Sequence, residues 1–243
     1  MKIALVTLMD DNFFIAYECF WKSFIYHNPW FGWDFVVIDN GLSEESKEKI
    51  KKNYDNTYFK KINKKAYSNV RMDKTHPKLK ATYYTLEAFT LTSYDRIVFM
   101  DMDITILGDV KELFACKASF AACRAYNAKQ DKFTETFNSG VFVVQKDYLK
   151  ESVYSSLINI AKRGFSMPDQ KTLNVYFRDI KTWLPKRYNV EKRMLHTKNH
   201  KKVWDQKICV HFVSTKPWQI EKPNEVEASF KEIEDVWWKY YEM

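Results

Sequence analysis

The stretch "RIVFMDMDITIL" (96–107) carries the first residues whose types and spacing could do chemistry. An apolar run ends in Asp101, and a second carboxylate, Asp103, follows one residue beyond it. Carboxylates are almost never fully buried unless they are paired or bind a cation. Two hard oxygen donors on one short loop suit Mg²⁺ or Mn²⁺. If such an ion also met a diphosphate, it would neutralise charge on a leaving group. Alone, the pair also has a plain reading as two solvated acids at a strand end.

Three later stretches bring further polar groups in order: "FNSGVFVV" (137–144), "PDQKTLN" (168–174) and "HFVSTKPW" (211–218). Each has an ordinary reading too. "NSG" suits a strand-edge turn, and Asp169 suits the first turn of a helix, where the dipole favours an acid. His211 suits a core position after an apolar strand, and Lys216 suits the surface.

Alternating elements must position these groups. "KIALVTL" (2–8), "DFVVIDN" (34–40), "TYFKKI" (57–62) and "RIVFMD" (96–101) read as strands, the most apolar of them as buried parallel ones. Helical stretches fall between them at 12–28, 43–54 and 78–94, and Ser43 with acids behind it marks a helix start. Further strands are expected at 119–126, 137–146 and 207–212. Helices are expected at 146–164, ending at Gly164, at 167–177 and at 225–243. This order predicts an α/β chain with a mostly parallel sheet. In such sheets ligands bind beyond the carboxyl ends of the strands, which is where Asp101, Asp103 and the "MDDN" loop fall. One domain is expected over 1–243, in two halves (1–107 and 108–220) followed by a helical tail (221–243).

Composition narrows the partners. Hydrophobic residues at 46% suffice for a core, and aromatics at 17% imply a bulky one. The formal charge of +8 favours an anionic partner. Nucleic acid is not expected, because zinc-finger spacing, RNP-like aromatics and basic heptads are all lacking. The four cysteines, Cys19, Cys116, Cys123 and Cys209, form no CxxC pair and read as buried free thiols. The N-terminal apolar run breaks at Asp10-Asp11 and reads as a strand. A cytoplasmic protein is expected, with peripheral membrane contact left open by the aromatic tail "VWWKYYEM" (236–243). For that tail, folding back onto the protein is favoured over an interfacial location, because the segment before it is acidic. The oligomeric state is not set by the sequence.

Together the four motifs resemble the glycogenin and lipopolysaccharide galactosyltransferase group, retaining glycosyltransferases of family 8 with the GT-A fold. The resemblance runs from about residue 3 to about 218 and includes "YDRIVFMDMDITILGDVKELF". It implies a Rossmann-like mostly parallel sheet, a nucleotide-binding half at 1–107 and a sugar and acceptor half at 108–220, a UDP-sugar donor, Mn²⁺ (or Mg²⁺) as cofactor, and a glycan, lipid-linked or protein hydroxyl as acceptor. By position it implies Asp101, Asp103 and His211 as metal ligands and Lys216 on the donor diphosphate. It puts Asn138, Ser139 and Gly140 at the donor sugar, and Asp169 and Gln170 beneath the anomeric carbon. Thr7, Leu8, Asp11, Phe14 and Met102 would hold the nucleotide, with Phe14 where the family often stacks a Tyr on uracil. Three departures stand out: Ser214 replaces a Gly in a loop one residue shorter, Thr85 replaces a basic residue that Lys78 or Lys80 would have to supply, and Asp11 replaces an Asn.

Two other readings stay open on the residues. "DMDIT" also fits the D-x-D-x-T of haloacid-dehalogenase-like Mg²⁺ phosphatases, although those carry it near the chain start with a later acidic pair. The second is a nucleotide-sugar-binding protein without turnover.

Overall fold

The structure, a computed structural model, describes residues 1–71, 77–197 and 200–243, with the backbone alone for Pro77 and Lys78. Strands β1 (Ile3–Met9), β2 (Asp34–Asp39), β3 (Thr57–Lys61) and β4 (Arg96–Met100) form one parallel run. Beyond β4 the chain crosses into a second, three-stranded sheet as β5 (Ile104–Ile106). Strands β6 (Phe120–Asn127) and β7 (Lys132–Gln145) form a hairpin whose second arm lies antiparallel against β4. The edge strand β8 (Thr182–Trp183) completes the order β3-β2-β1-β4-β7-β6-β8. Strands β9 (Val190–Glu191) and β10 (Cys209–His211) complete the small sheet, in the order β5-β10-β9. The expected α/β architecture with a mostly parallel run is thus present.

Helices α1 (Phe14–His27), α2 (Glu44–Asn53) and α3 (Lys111–Ala115) follow in the first half, and α4 (Glu151–Ala161), α5 (Pro168–Tyr176) and α6 (Lys201–Asp205) in the second. Strand residues alternate between the two faces of the large sheet. Leu5, Val37, Val98 and Met100 pack with Tyr17, Phe20 and Phe24 of α1. Ala4, Val6, Val36, Ile97 and Phe99 pack on the other face with Leu86, Phe89 and Leu157. Both faces are therefore covered, which is why the parallel strands read as unbroken apolar runs. The rings do form a bulky core, with Phe120 and Phe177 stacked at 3.9 Å and Trp21 on Phe35 at 5.0 Å. All four cysteines are free thiols, Cys116 half-buried and the other three buried.

Several expectations need correction. The segment expected as a helix at 78–94 is a 3₁₀ winding over Pro77–Thr90. Threonine hydroxyls within it bond back three residues, Thr82 to the Leu79 carbonyl at 2.9 Å and Thr90 to that of Glu87 at 2.8 Å, which suits the tighter turn. The helix expected at 146–164 begins only at Glu151, after a separate 3₁₀ turn, although Gly164 does take the left-handed conformation that ends it. The strand expected at 137–146 starts five residues earlier, extended by its hairpin partner.

The tail helix divides into α7 (Glu225–Ala228), closed by a capping box on Asn224, and α8 (Lys231–Glu242). Helix α8 lies against α1: His27 Nε2 and the Tyr240 hydroxyl are 2.7 Å apart, and the Cys19 thiol donates to the Trp237 carbonyl at 3.4 Å. Trp237 is fully buried between Trp218 and Tyr241. Among the described residues, no helix is long and apolar enough to cross a membrane. Trp237→Ala is expected to destabilise the protein by about 3–5 kcal/mol in urea unfolding. A loss under about 1 kcal/mol would mean that α8 contributes little to the folded core.

Candidate active site

Strand β4 delivers Asp101 to the end of the large sheet, and the switch into β5 carries Asp103 past it. Three backbone pairings then bring the other motifs to this point. The Asp101 amide donates to the Gly140 carbonyl at 2.9 Å, tying the acid loop to β7. Strand β10 runs antiparallel to β5 with His211 opposite Ile104. The Phe212 amide donates to the Asp103 carbonyl at 2.8 Å. Distant segments thus meet because one chain crossover is paired on both sides.

The side chains converge accordingly. His211 Nε2 lies 3.1 Å from Asp103 Oδ1 and 3.7 Å from Asp101 Oδ2. Lys216 Nζ pairs with Asp103 Oδ2 and donates to the Phe212 carbonyl at 2.7 Å. The charges sort themselves by environment. Burial would raise Asp103, but Lys216 and His211 outweigh it and hold this acid well below the usual carboxylate range. Asp101 is pushed up, first by withdrawal from water and then by the charge on Asp103. Burial would lower His211, but the two acids raise it on balance.

This donor set fits a divalent cation. Asp101, Asp103 and His211 each offer one ligand atom, all within 4.8 Å of one another. An octahedral ion with bonds of about 2.1 Å sets neighbouring donors about 3 Å apart and opposite ones about 4.2 Å apart. Two carboxylates and an imidazole suit Mn²⁺ or Mg²⁺ better than a thiophilic ion. Gly140 is required here by space, since a Cβ would stand 2.6 Å from His211 Nδ1 and 3.0 Å from Asn138 Oδ1.

A cleft of about 380 Å³ opens beside the acids. Nine of the residues singled out in the sequence line it: Leu8, Thr85, Asp101, Met102, Asp103, Ser139, Asp169, Ser214 and Lys216. Asp169 is in the first turn of α5, half-buried, with its carboxyl raised by burial against the pull of the Ser139 and Thr82 hydroxyls. Asn138, Gln170 and His211 are absent from this lining and are linked by hydrogen bonds: Asn138 donates to Gln170 Oε1 at 3.1 Å and accepts from the Gly140 amide at 2.9 Å, and Asn189 bridges Asn138 to His211. Thr7 is buried, its hydroxyl without a protein partner.

Asp11 and Phe14 of the first loop do not line this cleft. Asp11 accepts from the Ser43 amide at 3.1 Å and so caps the approach to α2. The Phe14 ring packs on Tyr17 at 5.6 Å, while Phe13, one position earlier, lines the cleft with Asp10 and Asn40. One residue is about 100° around a helix, so motif spacing near the start of α1 does not decide which ring faces a ligand. Thr85 lines the cleft where a basic residue was sought; Lys80 is exposed, and the Lys78 side chain lies outside the described residues. Thr82, which also lines the cleft, was not singled out, since a threonine in an expected helix carries no signal by itself.

Ser214 explains a further departure. It sits at φ +69°, a conformation that favours glycine. The loop around it is braced instead. Lys192 Nζ donates to the Thr215 carbonyl at 2.6 Å and to Glu234 Oε1 of α8 at 3.0 Å. Trp218 packs between Phe13, at 6.0 Å, and Trp237, at 5.2 Å.

Fold and site together define a GT-A architecture, with an Asp-x-Asp at the edge of a mostly parallel sheet and a histidine facing it. Residues 4–221 match the model of "Glycosyl transferase family 8", and the chain belongs to that family. Among its relatives are GlyF of Streptococcus pneumoniae, 25% identical over all of this chain and 62% of GlyF, and rabbit glycogenin-1, 29% identical over 68% of this chain and 53% of the relative. Human glycogenin-2 is 34% identical over 58% of this chain and 28% of its own length. The chain therefore spans less than two thirds of each of these relatives. The galactosyltransferase LgtC, solved with donor and acceptor sugar analogues, superposes with a TM-score of 0.71 at 18% identity, over 96% of this chain and 95% of LgtC. Family membership sets the phosphatase reading aside.

Replacing Ser214 by glycine is expected to stabilise the protein by about 1 kcal/mol, the usual cost of a left-handed non-glycine residue. A destabilisation in thermal or urea melts would mean that the braced loop needs the serine.

Proposed function

We propose that this chain transfers a hexosyl group from a UDP-sugar to a hydroxyl acceptor, with retention at the anomeric carbon and dependence on Mn²⁺. The observation that carries this reading is the convergence of Asp101, Asp103 and His211 on one point at the mouth of a cleft that Lys216 and Asp169 also line. A divalent cation held by those three residues would supply charge neutralisation for a departing nucleoside diphosphate.

The chain's own groups then divide the work. Lys216 brings a point charge on a flexible stem, suited to a diphosphate oxygen. Phe13, Leu8, Met9 and Asn40 form the wall for the nucleoside, with Phe13 in the role first expected of Phe14. Ser139 and Asp169 lie on the sugar side of the cleft. Gln170, held by Asn138, would orient the face of the sugar opposite the leaving group. Front-face displacement is the step favoured here: the anomeric carbon–oxygen bond to UDP breaks, the bond to the acceptor oxygen forms on the same face, and the departing phosphate takes the acceptor proton. The transition state has oxocarbenium character, as in glycoside hydrolysis, and Asp169 lines the cleft where that charge would develop.

The acceptor is proposed as a glycan, lipid-linked or protein hydroxyl, and Leu79, exposed where it lines the cleft, offers apolar surface beside it. A non-catalytic nucleotide-sugar-binding protein would show binding without release of UDP.

A panel of UDP-sugars with Mn²⁺ is expected to give UDP release for one hexose, and product NMR to show retention. Asp103→Asn should lower kcat/KM at least about 100-fold, or about 2.7 kcal/mol, with the fold intact by circular dichroism. Full turnover in that variant, or clean inversion, would overturn the reading.

A further inference from the structure

One backbone amide fixes the orientation of four side chains at the site. The Gly140 N–H donates to Asn138 at 2.9 Å, so the receiving atom is the amide oxygen, Oδ1. The Asn189 group 2.8 Å from that same oxygen must then be a donor, Nδ2. The other end of the Asn189 amide is consequently its oxygen, and this lies 3.0 Å from His211 Nδ1. Only a protonated Nδ1 makes that contact a hydrogen bond. Nε2 is left as the ring nitrogen whose proton a bound ion would displace to take its lone pair, and it is the one facing Asp101 and Asp103. The same chain ends in the other direction on Gln170, whose Oε1 accepts from Asn138 Nδ2 at 3.1 Å.

Asn189 is fully buried, and its amide makes both bonds at once. The Asn138 oxygen has both lone pairs engaged, leaving Asn138 at most one N–H for a ligand. Asn138 therefore acts more as a hub than as a contact.

We infer that Asn189 is a positioning residue that fixes which nitrogen of His211 faces the acid pair, and that it mechanically joins the cation ligands to the Asn138–Gln170 pair beside the sugar. This inference rests on the proposed cation site. The physical ground is general: a ligating histidine needs an acceptor on its other nitrogen to hold the ring and set its basicity, and loss of that partner costs about 10–100-fold in metal affinity. The Asn189→Leu variant removes the acceptor and leaves a buried Nδ1–H without a partner, so the ring has reason to rotate away.

The test uses Mn²⁺ alone, with no nucleotide or sugar. Binding is followed by EPR, and the ¹⁴N modulation of the bound ion reports directly on histidine coordination. The wild-type protein is expected to bind Mn²⁺ with a nitrogen signal. Asn189→Leu should bind about 10–100-fold more weakly, with that signal lost, as in His211→Ala. Asn138→Ala, which cuts Asn189 from its anchor without touching His211, should weaken Mn²⁺ by about tenfold, the lower end of that range. This second variant carries the test if the first does not fold. Unchanged affinity and an intact nitrogen signal in both variants would overturn the role of Asn189. Wild-type protein that binds no Mn²⁺ would instead overturn the cation site beneath it.

Discussion

Asp103 is a carboxylate with 9% of its side chain exposed, and it can keep its charge there only with positive partners at hand. Uncompensated, a buried charge costs several kcal/mol. His211 and Lys216 supply that compensation, and both arrive on the strand and loop that follow more than a hundred residues later. The pairing of β5 with β10, the loop brace by Lys192 and Glu234, and the packing of α8 on α1 all bear on keeping those two cations in place. Asp101 differs. It is 38% exposed and raised, so the pair meets the cleft as one firmly charged acid and one readily neutralised one. A bound cation would draw both into the charged form.

A second constraint is steric. His211 can approach Asn138 only because β7 has no side chain at Gly140. That same glycine pairs through its carbonyl with Asp101 and through its amide with Asn138. Acid loop, the Asn138–Gln170 amides and histidine are thus referenced to one residue of backbone. A site built in this way holds its geometry through rigid strands rather than through loop side chains, which is what preorganisation for transfer chemistry needs.

Much of this was legible in the sequence, and the reasons for the rest are physical. Buried parallel strands announce themselves as apolar runs, and Asp101 and Asp103 stood out because acids do not belong at the end of one. Strands such as β5 and β9, three and two residues long, are too short to show a period. The 3₁₀ path of Pro77–Thr90 was hidden because its composition suits an α-helix equally well. That Phe13 and not Phe14 lines the cleft was hidden, since facing is set by how α1 enters from its 3₁₀ turn. Asn189 carried no signal, because its partners lie 22 and 51 residues away along the chain. The serine at position 214 was visible as a departure, but the brace that tolerates it came from α8, beyond the matched motifs.

The central claim is that two acids and one histidine hold a divalent cation against the diphosphate of a nucleotide. Crystals grown with MnCl₂ and UDP, measured where manganese scatters anomalously, test it most directly. The claim predicts a single strong anomalous peak bonded to Asp101, Asp103 and His211 Nε2 at about 2.2 Å, between typical magnesium and calcium distances, with the diphosphate completing the shell. A peak elsewhere, or none at saturating manganese and nucleotide, would contradict it.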